Sequence, residues 1–139
     1  MKDRYLHRAK RKNWRELPKE KWWVEGYYAY MQPYHYIMPK DNFDSWIEID
    51  EKTLCACTGL KDKNGKLIWE NDILVGYLDD MYPENATYAQ AIWDKNGFYT
   101  KEQYSDDISL MDEFDEKHFE VCGNRFDNPE LLEVRENET

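Results

Sequence analysis

Three cysteines and three histidines supply the strongest metal-binding and nucleophilic chemistry in this sequence. Cys55 and Cys57 are separated by one residue, which on a strand directs both thiols to the same face. Structural zinc sites instead pair ligands two to four residues apart and need a second pair elsewhere, whereas Cys122 stands alone. The spacing therefore favours buried, unreactive thiols over a metal site, and the odd count argues against a disulfide framework.

Cys122 and His118 have the residue types of a nucleophile and a general base. On a strand they would share a face, but four residues span roughly 13 Å at ~3.3 Å per residue. Because that distance is too long for a hydrogen bond, we reject this pair as a catalytic dyad.

Carboxylates and one amide in the middle of the chain offer oxygen ligands for a divalent cation: Asp72, Asp79, Asp80, Glu84 and Asn85. Calcium loops need a dense alternation of such ligands with a glycine at a fixed place, which this segment lacks. The sequence also lacks a phosphate-cradling glycine loop, a metalloprotease helix and a nucleophile elbow. We therefore expect no enzyme activity, no bound metal and no cofactor.

Charge is distributed unevenly along the chain. The net charge is −10, yet residues 1–21 carry nine basic and three acidic side chains, which leaves −16 for the remaining residues. A basic head on an acidic body can bind nucleic acid, or it can pair with the acidic body of the same chain or of a second copy. We favour pairing with an acidic body.

Aromatic content indicates a folded protein. The mean hydropathy of −1.00 is typical of a disordered chain, but 16% of the residues are Phe, Trp or Tyr, and disordered segments are poor in aromatic residues. The charged N-terminus has no apolar signal region, and no apolar run approaches membrane-spanning length. We expect a cytoplasmic protein of a bacterial host.

Short segments of strand composition alternate with turn signals. The Asn64-Gly65 pair predicts a type I′ hairpin turn, whose two central residues both need positive φ. The sequence Asp-Lys-Asn-Gly of residues 62–65 recurs at residues 94–97. Pro129 predicts a short helix that begins at Asn128. Strands are predicted at residues 22–30, 34–38, 46–49, 53–58, 72–77, 87–93, 98–100 and 118–122.

Turn signals at this spacing and the near absence of a helical period predict a mainly β fold with little helix. We expect an N-terminal β lobe over residues 1–57, which includes the basic lead-in. A small β-barrel-like C-terminal lobe with an acidic tail is expected over residues 58–139.

Several blocks of the sequence resemble the YopX proteins, which are found in bacterial phages and prophages. Asn71 stands where that family usually has glycine, and asparagine still tolerates a left-handed turn. The resemblance implies a phage origin, a β-rich fold and homo-oligomerisation, but no reaction and no site residues. It is carried, in the family's order, by residues 5–10, 23–27, 58–66, 70–74, 88–93, 119–124 and 128–132.

Three functions remain open. The first is a homo-oligomeric factor that binds a host or phage protein through aromatic surface, and the second is an acidic inhibitor of a host nucleic-acid enzyme such as a defence nuclease. For both, the candidate contact is the acidic segment 102–116, with Tyr104, Asp106, Asp107, Ile108, Asp112, Glu113 and Phe114.

The third function is binding of nucleic acid by the basic head, with tryptophan rings that stack on bases. We rank it below the two protein-binding functions. Its candidate residues are Arg8, Lys10, Arg11, Lys12, Trp14, Trp22 and Trp23.

Overall fold

A computed structural model describes residues 2–42, 44–77 and 86–132. Most of them lie in eleven antiparallel strands: β1 His7–Lys10, β2 Trp23–Met31, β3 Tyr34–Pro39, β4 Ile47–Glu48, β5 Cys55–Lys61, β6 Leu67–Trp69, β7 Asp72–Tyr77, β8 Ala86–Asp94, β9 Gly97–Glu102, β10 Ile108–Leu110 and β11 Phe119–Asn124. The α-helix is α1, Glu113–His118. Short 3₁₀ turns cover Lys2–Tyr5, Trp14–Glu16, Lys19–Lys21, Glu51–Thr53 and Pro129–Leu132. The predicted mainly β fold is confirmed.

The chain divides into two compact units, residues 1–59 and 60–139. In the first unit the strands follow the order β4-β3-β2-β1-β5 in one sheet. Alternate apolar side chains of these strands face one side and form a core of Ala9, Val24, Ile37 and Ile49, as the period-two pattern requires.

In the second unit β6 forms a hairpin with the end of β5, and a five-stranded sheet follows in the order β10-β9-β8-β7-β11. Its core contains Ile68, Leu74, Ala89, Met111 and Phe119. Within the described residues this sheet is open, with β10 and β11 at its edges. The expected barrel-like closure is therefore not observed.

The β5–β6 turn corrects one sequence prediction. Gly65 has φ +83°, but Asn64 does not have positive φ, so the turn is not type I′. The buried carboxylate of Asp62 explains the difference: its Oδ1 accepts hydrogen bonds from the amides of Asn64 and Lys66, each at 2.9 Å. These bonds hold Asn64 in an ordinary conformation and leave the left-handed position to glycine.

Two other sequence features agree with the structure. Asn71 adopts a left-handed conformation with φ 72°. Cys55 and Cys57 are both buried, as their spacing predicted. The segment from Asp79 to Asn85, which was considered as a cation loop and rejected, lies outside the described residues. The buried Asp72 carboxylate accepts a hydrogen bond from the Trp69 amide at 2.8 Å.

Candidate functional site

The acidic segment 102–116 contains an exposed edge strand, β10, followed directly by α1. Every residue of β10 is exposed, and Leu110 retains 62% of its accessible surface. Phe114, in the first turn of α1, retains 55%. Edge strands in soluble proteins are usually protected by charge, proline or a covering element, so an edge that displays apolar side chains marks a candidate contact surface.

The pairing of β10 with β9 shows which backbone groups are directed outward. The amide of Met111 donates to the carbonyl of Phe98 at 3.0 Å, and Leu110 lies opposite Tyr99. Antiparallel ladders alternate between hydrogen-bonded and non-hydrogen-bonded pairs. Leu110 and Ile108 therefore direct their amide and carbonyl groups away from β9, where another strand can pair with them.

Carboxylates lie at both ends of this edge. Asp106 and Asp107 precede β10 and are exposed, and Asp112 and Glu113 follow it and are exposed. Tyr104, at the turn that leaves β9, is exposed and has a positive φ of 68°. The structure thus places all seven predicted contact residues on the surface around β10 and the start of α1.

A capping box fixes the start of α1. The Asp112 side chain accepts a hydrogen bond from the Phe114 amide at 2.9 Å, and Asp115 Oδ2 accepts one from the Asp112 amide at 2.9 Å. This reciprocal arrangement satisfies two amides that a helix start leaves without intrahelical partners. Farther along, His118 stacks on Phe114 with ring centroids 4.0 Å apart.

A cleft of about 440 Å³ lies between α1 and the core face of the second sheet. Gly76 forms part of its floor, where a Cβ atom would come within 2.8 Å of the Phe119 ring. The lining combines carboxylates, hydroxyl groups and rings from both the sheet and the helix: Thr87, Thr100, Glu102, Ser109, Leu110, Asp112, Phe114, Asp115 and His118.

Asp115 is the buried charge of this cleft, with 5% of its surface accessible. Burial raises the pKa of Asp115 above the usual range, and the nearby charge of Asp112 raises it further. The hydrogen bond from the Asp112 backbone acts in the opposite direction and lowers the pKa. A carboxylate in this position gains most from a cation that enters the cleft, because the cation would offset the cost of burial.

The basic head forms a compact cluster of cations and rings within the first unit. Lys10 is 3% exposed, and its ammonium group lies 3.8 Å from the Trp14 ring centroid and 4.4 Å from that of Trp22. Arg8 lies 4.9 Å from the Trp23 ring. The chain's own cations therefore lie over rings that were expected to stack on bases.

The other head residues occupy different positions. Lys12 is exposed, and Arg11 is partly buried and donates a hydrogen bond to the Lys21 carbonyl. The Trp14 indole donates to Asp50 at 3.2 Å, so this ring is held by the residue that caps the Glu51–Thr53 turn.

Three side chains of the first unit form a hydrogen-bonded chain that no sequence pattern predicted. The Tyr28 hydroxyl lies 2.6 Å from His35 Nδ1, and His35 Nε2 lies 2.6 Å from the Glu51 carboxylate. Burial raises the pKa of Tyr28, and the charges of Glu51 and Tyr30 raise it further. A nucleophile would need the opposite shift, so this chain fits a structural role better than a catalytic one.

The cysteines and histidines show no catalytic or metal-binding geometry. His118 ends α1 rather than lying on a strand, and Cys122 lies at a β-bulge in β11. Cys122 is exposed, unlike Cys55 and Cys57, but partial desolvation of its thiol raises its pKa, which lowers its reactivity. None of the three cysteines is in a disulfide, and the described part of the chain contains no group of three or more side chains placed to hold a metal ion.

No helix within the described ranges has the length and apolar character needed to cross a membrane.

Comparison with known proteins gives a match to a protein family and a similarity to solved structures. The family model described as YopX protein matches residues 7–133. The fold is similar to the crystal structure of protein EF1440 from Enterococcus faecalis, with a TM-score of 0.54 and 22% sequence identity over 93% of this chain and 97% of that chain. At that identity the likeness shows the fold alone. No curated protein matches the chain.

Proposed function

The chain belongs to the YopX family, and from that premise we propose that it is a protein-binding factor whose contact surface is the free edge of β10. The observation that carries the proposal is the outward direction of the Ile108 and Leu110 backbone groups on a strand with exposed apolar side chains. Such an edge can receive an extended segment of a partner through main-chain hydrogen bonds.

The charges around β10 favour a basic partner over a second copy of β10. If two copies paired antiparallel about Ser109, Asp106 of one copy would lie opposite Asp112 of the other. Like charges placed directly across a sheet destabilise the pairing. A partner segment with lysine or arginine would instead complement the carboxylates at both ends of the edge.

This surface also supports the second function, inhibition of a host nucleic-acid enzyme, because such enzymes present basic segments to their substrates. The proposal also includes a role in a phage or prophage, and that part rests on membership of the YopX family. The proposed partner is a protein in either case, and the identity of a captured partner distinguishes the two functions.

We also propose that the protein self-associates, through a different surface. On one face of the β2–β3 hairpin Met31 lies opposite Tyr34, and the Tyr36 ring lies 6.4 Å from that of Tyr34 and 5.7 Å from that of Trp46. Met31, Tyr34 and Trp46 are exposed, so this face carries a patch of aromatic side chains and one methionine. These residues carry no charge that would repel a second copy, and aromatic residues and methionine are enriched at protein interfaces.

Affinity capture from a bacterial lysate tests the proposed use of β10. Leu110→Pro removes an outward amide without removing a hydrogen bond to β9, so it should abolish capture of the partner and leave the sheet folded. Tyr5→Ala, which removes an exposed aromatic residue of the first unit, is the control and should retain capture. Equal capture by Leu110→Pro would refute the proposed use of this edge.

A further inference from the structure

Resting on the proposed strand addition at β10, we propose that the cleft beside this strand holds the guanidinium or ammonium group of a basic side chain of the added segment. The ligand of the cleft would be an organic cation, and the partner segment would need a lysine or arginine. Whether that side chain can reach the cleft depends on which face of the sheet the cleft occupies.

Cross-strand pairing places the cleft on one face. Thr100 lies opposite Ala91 in the β8–β9 ladder and opposite Ser109 in the β9–β10 ladder. Because paired residues share a face, Ser109 and Thr100 lie on the side of the core alanine, and both line the cleft. The cleft therefore extends to the edge strand on its core side.

An added strand would lie about 4.8 Å from β10 and direct alternate side chains to that same face. A long side chain from such a position can reach over Ser109 toward α1. The remaining side chains of the added strand would pack on the other face, beside Leu110 and Ile108. The expected partner segment therefore alternates basic and apolar residues.

The chemistry of the lining selects a cation. Glu102, Asp112 and Asp115 contribute carboxylates, and none of the described residues that line the cleft is a lysine or arginine. Asp115 is buried, and its Oδ2 accepts from the Asp112 amide, which leaves Oδ1 for a ligand. Rings of Phe114 and Phe119 can pack against the aliphatic part of the entering side chain or against a guanidinium plane.

A bare metal ion fits less well than an organic cation. No three carboxylate or imidazole groups of the described residues converge as a metal site requires. A guanidinium group, in contrast, spans separated carboxylates because it carries five donors in a fixed plane.

Binding of capped peptides to the full chain, measured by calorimetry, tests the proposal. The reference peptide is Val-Arg-Val-Arg-Val-Arg, and the matched peptide replaces each arginine with citrulline, which keeps the shape and removes the charge. We expect the citrulline peptide to bind about tenfold more weakly or worse, since hydrogen bonds to charged groups are worth more than neutral ones.

Variants of the chain locate the charge that matters. Asp115→Asn keeps an oxygen for the Asp112 amide and removes the charge from the cleft, so it should weaken arginine-peptide binding about tenfold and leave citrulline-peptide binding unchanged. Glu102→Gln is a second cleft variant with the same expected direction. Glu130→Gln removes one exposed charge of the second unit that lies outside the cleft lining and outside the β10 edge, and it should change binding less than about twofold, because exposed charges interact weakly.

Hydrogen exchange of the Ile108 and Leu110 amides separates the two proposals. Protection of these amides by both peptides, with equal affinity for arginine and citrulline, would overturn the cleft assignment and retain strand addition. Arginine-dependent binding without amide protection would overturn strand addition at β10. Loss of binding in Glu130→Gln equal to that in Asp115→Asn would also overturn the cleft assignment, because general acidity would then explain the affinity.

Discussion

Replacing Asp62 with alanine should destabilise the second unit strongly. The side chain is 5% exposed. Its Oδ1 accepts from the amides of Asn64 and Lys66 and its Oδ2 from the amide of Val121, each at 2.9 Å. One carboxylate thereby shapes the β5–β6 turn and joins it to β11.

The size of the effect follows from these three bonds. A hydrogen bond to a charged group contributes about 1.5 to 3 kcal/mol. We assign that range to the Val121 bond, and about 1 kcal/mol to each turn bond, because water can replace the carboxylate at an exposed turn. Asp62→Ala should therefore lower the free energy of unfolding by about 3 to 5 kcal/mol.

Asp62→Asn tests the direction of the bonds rather than the volume of the side chain. Its oxygen can still accept from the turn amides, but its NH₂ group would then face the Val121 amide, donor against donor. We expect a loss of about 2 kcal/mol or more. Urea unfolding followed through the methyl NMR signals of Ile68 and Leu74 reports on this unit.

Asp107→Ala provides the control, since that side chain is exposed and its loss should stay within about 0.5 kcal/mol. If Asp62→Ala unfolds at the same urea concentration and with the same slope as the parent, the carboxylate does not hold the turn. The explanation given for the turn geometry would then be wrong.

Three further predictions concern the turn, the cleft and self-association. Gly65→Val should cost about 1 to 3 kcal/mol in urea unfolding, because a β-branched residue cannot easily take positive φ, while Gly65→Asn should cost clearly less; equal losses would contradict a left-handed position. Asp115→Asn should raise the melting temperature at pH 7, because the parent protein holds a buried charge there. This gain should shrink as the pH falls and the parent carboxyl becomes protonated, whereas a gain independent of pH would contradict the raised pKa of Asp115. Light scattering should show an oligomer at micromolar concentrations that Trp46→Glu dissociates, whereas a monomeric parent protein would refute self-association.

Much of the β structure could be predicted from sequence because the signals are local. β2, β3 and β7 are aromatic or β-branched runs bounded by turn residues, and their pattern depends only on neighbouring positions. The type of the β5–β6 turn could not be predicted in this way. Asp62 reorganises it through bonds to amides two and four residues away and through a link to Val121, far along the chain.

The candidate surface was only partly indicated by the sequence. Acidic and apolar residues singled out the segment 102–116 as a candidate contact, but not that β10 forms a sheet edge, because strand order depends on the whole topology. The cleft also depends on Gly76 and Thr87, which are distant in sequence from β10. Tyr28, His35 and Glu51 were missed for the same reason, since no spacing rule brings residues of two strands and a turn together.

Hydrogen exchange in a complex with the captured partner protein tests the central claim most directly. If the partner adds a strand to β10, the outward amides of Ile108 and Leu110 should exchange about tenfold more slowly or better in the complex, while the interior amide of Ile73 should not change. An intact complex in which Ile108 and Leu110 exchange as fast as in the free protein would contradict the proposed binding edge.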